Sequence, residues 1–241
     1  MKGEVDNNID SVETDCFKTD GPEERWDAVR QKYTLSAEAY SADNLTILSD
    51  VGASEKRAYL IGYKEAVFPG ANVVDMGCGP GLDSLIMARM VGPKGKVIGI
   101  DIADKMLSLA KSLAGTLSIT NVEFRCGLME DLPIDECSAD VVVCAGAINL
   151  SPQKDKVFAT VYRILRNGGK VIIRDRLASK ELPADIRGNR DKWAACIGGA
   201  ITLEDYLEKM NQAGFIDIKV VKTDKLSGKS PVYCGHITAF K

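Results

Sequence analysis

Val73-Val74-Asp75-Met76-Gly77-Cys78-Gly79-Pro80-Gly81-Leu82 is the stretch of this 241-residue chain from which the fold can be read. Asn72–Met76 is a short apolar run that reads as a strand, and Leu82–Val91 reads as a helix ended by Gly92-Pro93. Between them glycine recurs at alternate positions. Gly77 and Gly79 let the backbone approach a ligand closely, and Gly81 permits tight packing where the helix begins. A strand that enters a helix through such a loop points to a nucleotide-type cofactor bound at the strand's carboxyl end.

Downstream, strand and helix alternate. Lys96–Ile100, Val122–Cys126, Asp140–Cys144 and Lys170–Arg174 read as strands, and Asp104–Leu113 and Lys154–Leu165 as helices. Further helical stretches span about Pro183–Ala195 and Leu203–Ala213. Phe215–Val221 and Val232–Phe240 then close the sheet as an adjacent antiparallel pair. Near-continuous apolar strands separated by helices predict an α/β, doubly wound, mostly parallel seven-stranded sheet, covered on both faces. Asp101 falls at the end of the second strand, 20 residues past Gly81. A carboxylate there accepts hydrogen bonds from both hydroxyls of a ribose. The spacing is G-x-G-x-G, with Leu82 where a dinucleotide loop carries its last glycine and Asp75 just ahead of the loop. Together these features favour S-adenosylmethionine (SAM) over a nicotinamide dinucleotide.

Upstream, residues 1–20 are acidic and polar and read as a mobile arm. Residues 21–68 read as a helical cap: Trp26, Val29, Arg30 and Tyr33 share helical spacing in Glu23–Tyr33, and Ser54–Val67 is a second amphipathic stretch. Residues 69–241 form the cofactor-binding domain. Tyr33, Tyr40, Tyr59 and Tyr63 are candidates to line the cap.

A net charge of -3 supplies no electrostatic reason for a nucleic-acid or anionic-membrane partner. The longest apolar stretch, Ala139–Ile148, is far short of the roughly 20 residues of a membrane span. With no secretory signal at the N-terminus, the expectation is a cytoplasmic protein with a small-molecule substrate. Seven scattered cysteines contain no C-x-x-C, so neither a zinc ribbon nor a thioredoxin-type motif is suggested. His236, the sole histidine, lies in the closing strand, away from the carboxyl ends that form such sites. Asn149, directly after the fourth strand, is better placed to touch a substrate.

Other segments are more particular. From about Pro69 to Val221 the chain resembles the arsenite methyltransferases, class I SAM-dependent enzymes. The resemblance rests on Asp75–Asp83, on Val91-Gly92-Pro93-Lys94-Gly95-Lys96-Val97-Ile98-Gly99-Ile100-Asp101 and on Glu181-Leu182-Pro183. It rests above all on Ala147-Ile148-Asn149-Leu150-Ser151-Pro152 and Trp193-Ala194-Ala195-Cys196-Ile197-Gly198-Gly199-Ala200. It implies a cofactor set of Asp75, Gly77, Cys78, Gly79, Gly81, Asp101, Ile102, Met106, Leu128 and Met129. Leu128 stands where many class I members carry a carboxylate near the adenine amine. In that family three cysteine thiolates hold trivalent arsenic, a soft centre on soft ligands, and the arsenic lone pair takes the methyl group. Cys196 stands at one of those places. Gly146 stands where a second cysteine belongs, and neither Thr34–Ser41 nor Asp43–Phe68 contains any cysteine. The acceptor set expected here is Cys196, Cys144 and Asn149, with Arg190 and Lys192 near enough in sequence to activate Cys196 and Cys16 as a further thiol. The alternatives are methylation of a small organic oxygen, nitrogen or carbon atom, and a SAM-binding module without catalysis.

Overall fold

In a computed structural model of the chain, residues 23–40, 62–224 and 230–241 are described. Cys16, Tyr59 and most of the second predicted cap helix lie outside them. The sheet comprises β1 (Asn72–Met76), β2 (Lys96–Asp101), β3 (Val122–Cys126), β4 (Ala139–Ala145), β5 (Leu165–Ala178), β6 (Ile216–Asp224) and β7 (Val232–Phe240). Their order is β3-β2-β1-β4-β5-β7-β6. The first five run parallel, and β7 pairs antiparallel with both β5 and β6. The strand order therefore reverses between β1 and β4, which opens a crevice at their carboxyl ends.

Helices cover both faces: α1 (Glu23–Tyr40), α2 (Leu82–Val91), α3 (Asp104–Thr116), α4 (Lys154–Ile164), α5 (Ala184–Arg187), α6 (Arg190–Ala194) and α7 (Leu203–Gln212). On one face Val74, Met76, Val142 and Ile173 pack with Phe158 and Val161 of α4 and Tyr206 and Met210 of α7. On the other, Val73, Val97, Val141 and Val143 meet Ile86, Met87 and Val91 of α2. The alternation of these valines through the sheet is why the strands are apolar throughout their length.

Three departures from the sequence-based expectation bear on the site or the sheet. First, α1 continues beyond Tyr33, because Ala37 in its last turns is buried against Ala103 and Met106 of the α3 start. Second, β5 runs on to Ala178, since the nine residues of β7 supply ladder partners for Arg176, Leu177 and Ala178. Third, the stretch Pro183–Ala195 is two short helices. Gly188 closes α5, and the Asn189 side chain caps α6 by accepting from Lys192 N–H at 2.9 Å. No helix among the described residues is long and apolar enough to cross a membrane.

Candidate functional site

The crevice is a cavity of about 220 Å³ roofed by α1. The carboxyl ends of β1 to β4 each contribute. Gly77, Cys78, Gly79 and Pro80 follow β1; Asp101 and Ile102 end β2; Leu128, Met129 and Glu130 follow β3; Gly146, Ala147, Leu150 and Ser151 follow β4. Trp26, Val29 and Tyr33 of α1 close the top.

The glycine loop is shaped by contacts that forbid a side chain. Gly77 has φ +74°, and a Cβ there would stand 2.3 Å from that of Ala147. Gly79, at φ +52°, has open space where its Cβ would be, so its backbone faces the cavity bare. Its N–H donates to Asp101 Oδ2 at 2.8 Å, and Ala103 N–H donates to Oδ1 at 2.9 Å. Loop and second strand are thus tied through the carboxylate expected to meet the ribose. Burial raises the pKa of Asp101, and the backbone donors oppose that rise.

Not every residue of the expected cofactor set reaches the cavity. Asp75 is buried beneath the loop, accepting from Ser84 Oγ of α2 at 2.5 Å. Gly81 faces Ala110 and Phe124, where a Cβ would sit 2.8 Å from each, so it serves helix packing. Met106 is buried with Ala37 and Ala103. All three act on the shape of the site from behind its wall.

The expected acceptor set is divided in the same way. Cys144 is fully buried in the core on β4, and burial pushes its thiol pKa far up. Asn149 is also fully buried. Its amide donates to Asp175 Oδ1 at 3.0 Å and to the Arg176 carbonyl at 2.5 Å, and its N–H donates to Asp175 Oδ2 at 3.0 Å. It therefore pins the turn Ile148–Leu150 to β5 instead of facing a substrate. Asp175 is the buried centre of this knot. Burial lifts its pKa to about 6 against the pull of its backbone donors.

Cys196 stays at the cavity margin. Its Sγ donates to the Gly146 carbonyl at 3.2 Å and lies 3.7 Å from Tyr33 Oη. It packs with Val29, Leu150 and Trp193. Its φ of +58° places an L-residue in the left-handed region just after α6, where glycine is the usual occupant. Burial raises the thiol pKa, and the cations that oppose this are Arg176 and Lys32 rather than Arg190 and Lys192. Arg190 instead donates to Gln31 of α1 at 3.0 Å. Of the cap tyrosines, Tyr63 is buried in the core beside Ala71 and Val91 rather than over the cavity.

Glu130 was not singled out from the sequence, nor was its link to Trp26 and Ser151. Glu130 Oε1 accepts from Trp26 Nε1 at 3.1 Å and from Ser151 Oγ at 2.5 Å. One carboxylate therefore joins α1, the loop after β3 and the turn after β4. The Trp26–Val29–Tyr33 spacing marks the helix face that provides one partner, but no short-range pattern links it to residue 130.

These residues fit SAM: a bare Gly79 backbone, a carboxylate at the β2 end, and apolar Ile102, Leu128 and Met129 to flank a flat base. The methyltransferase-domain family matches residues 68–214. An arsenite methyltransferase from Halobacterium salinarum is 34% identical over 191 residues, covering 77% of this chain and 48% of that protein. A demethylmenaquinone methyltransferase from Symbiobacterium thermophilum is 29% identical over 172 residues, 71% of this chain and 67% of that one. The crystal structure of an arsenic(III) S-adenosylmethionine methyltransferase from Chlamydomonas reinhardtii superposes with a TM-score of 0.67 at 28% identity, covering 73% of this chain and 65% of that one. The chain spans about half the length of the arsenite methyltransferases it matches. With the seven-stranded order and the glycine loop described above, the chain belongs to the methyltransferase-domain family, uses S-adenosylmethionine as its cofactor, and resembles the arsenite methyltransferases.

Proposed function

We propose that the chain catalyses SAM-dependent methyl transfer to a small soft acceptor, trivalent arsenic, presented beside Cys196. The carrying observation is the position of Cys196 Sγ, 3.2 Å from the carbonyl of Gly146, a residue that lines the cavity. SAM supplies an electrophilic methyl group; the chain's own part is to hold both partners and exclude water. Gly79 and Asp101 hold the ribose side, Leu128 and Met129 the base, and Trp26, Val29 and Tyr33 roof the whole. Cys144 lies in the core, so Cys196 alone contributes a thiol from the acceptor set. The remaining arsenic bonds then belong to carbon or to small thiols from solution, and monomethylated arsenite is favoured over the inorganic form.

A second reading, methylation of a small organic atom, is supported by the same thiol: burial holds Cys196 protonated, and it already donates to a backbone carbonyl. The deciding measurement is labelled methyl transfer to inorganic arsenite, monomethylated arsenite and a panel of small metabolites. Cys196→Ser should abolish transfer to arsenic and leave SAM affinity unchanged. Turnover of neither arsenic species by the wild type, or normal turnover of both by Cys196→Ser, transfers the assignment to an organic acceptor. SAM binding without turnover on any acceptor would leave a non-catalytic module.

A further inference from the structure

Four cations, Arg25, Lys154, Arg187 and Lys209, line a separate groove of about 470 Å³ walled by Trp193. The chain as a whole carries a net charge of -3, so this concentration of positive charge runs against the molecule's average. The Arg25 guanidinium lies 4.0 Å over the Trp193 ring, and Lys154 Nζ lies 5.4 Å from the same ring centroid. Asp155 is the one carboxylate lining the groove, and it is engaged by Lys209 Nζ at 2.7 Å. Arg187 pairs with Glu181 at 3.2 Å, both exposed, an interaction of small net worth.

Arg25 and Lys154 are different. Among the described residues neither forms a salt bridge. Lys154 is 7% exposed, and its ammonium donates to the Ser151 carbonyl at 2.8 Å. An ammonium offers three donors, and a buried cation ordinarily has a counter-charge. Burial opposes its protonation, as do Lys209 and Arg25, while the carboxylates of Asp175 and Glu130 favour it without forming a salt bridge with it among the described residues. The first turn of α4, with its positive dipole end, opens into the same groove through Pro152, Lys154 and Asp155. Four cations thus converge on a groove lined by one carboxylate, so the protein balances their charge only in part.

We propose that this groove binds an oxyanion of sulfate or phosphate size, either free or borne on a small molecule. The test titrates the full chain with sodium sulfate at constant ionic strength balanced by chloride, following tryptophan emission and Tm. Trp193 walls the groove, and the chain has two tryptophans, so calorimetry beside the emission gives the affinity independently of Trp26. Saturable quenching or enhancement with a rising Tm is expected. Arg25→Gln/Arg187→Gln should weaken it by about tenfold, as for loss of charge-assisted contacts, with far-UV circular dichroism and cooperative urea unfolding retained as the control for folding. A parallel titration with inorganic phosphate and glycerol 1-phosphate separates the sources: tighter binding of the ester assigns an organic phosphate, equal or weaker binding a free anion. Reproduction of the response by chloride alone, or unchanged sulfate affinity in the double variant, overturns the proposal.

Discussion

Asp101 commits one lone pair on each carboxylate oxygen to the protein, through Gly79 N–H and Ala103 N–H. A carboxylate oxygen has a second, so both oxygens can still accept from a hydroxyl. Asp101→Ala removes those acceptors and strands two backbone donors. SAM affinity should fall by about 2–3 kcal/mol in calorimetry, and an unchanged affinity removes Asp101 from the site. Glycines of the site divide by what surrounds them. Gly77→Ala drives a methyl group to 2.3 Å from Ala147 in a left-handed backbone, so urea unfolding should register a loss of roughly 2 kcal/mol or more. Gly146, at φ +83°, has no atom within 4 Å of a built Cβ. Gly146→Cys therefore carries only backbone strain, about 1–2 kcal/mol, and should fold. With a second thiol beside Cys196, its turnover of inorganic arsenite should exceed that of the wild type; no gain would count against an arsenic acceptor.

At the scale of elements, α1 is the part whose position matters most. Its one face, Trp26, Val29 and Tyr33, is apolar at helical spacing, which identified a helix with something to cover. What it covers is set by contacts distant in sequence: Trp26 to Glu130, Lys32 Nζ to the Ala194 carbonyl at 2.9 Å, Arg25 to Trp193 and Arg190 to Gln31. These hold α1 to both the cofactor loops and α6. Trp26→Phe keeps the ring and removes the hydrogen bond to Glu130, a change of about 1–2 kcal/mol. Amide exchange in the first turns of α1 should quicken, and SAM should dissociate about tenfold faster in stopped-flow chase. Identical exchange and dissociation in the variant would show that Glu130 does not latch the helix. In the same way Asn189 divides the stretch that periodicity alone had joined, since a cap and Gly188 outweigh a continuous helical pattern.

At the scale of the whole molecule, two buried charges are tied to one stretch, Ile148–Ser151. Asp175 accepts from Asn149 N–H there, and Lys154 donates to the Ser151 carbonyl. Lys154 is lowered from 10.5 to about 8, chiefly by burial; Lys209 and Arg25 lower it further, while Asp175 and Glu130 oppose the shift. The unfolded chain keeps this proton up to about 10.5. Between pH 8 and 10.5 it therefore binds more protons than the native state, and stability gains with rising pH over that window. Below pH 8 the buried ammonium opposes folding by on the order of 3 kcal/mol. Lys154→Met should raise stability at pH 7 and show a smaller advantage by pH 10, measured as the difference between variant and wild type in urea at each pH. A difference constant with pH would place the cost elsewhere.

The sequence by itself determined the strand–loop–helix at 72–91, the alternation that builds the sheet, and the carboxylate at the end of β2. Each of these rests on local pattern: period, glycine spacing and the length between landmarks. The tertiary structure decided which residues with the right chemistry face the cavity. Asn149 and Cys144 sit at the end of β4 as expected, yet the buried knot with Asp175 turns one away and the core encloses the other. Cys196 and Gly146 are 50 residues apart in the chain and meet only because the end of α6 folds back against the end of β4. Side-chain direction at a strand end depends on which buried polar groups must be satisfied there, and those partners come from distant elements.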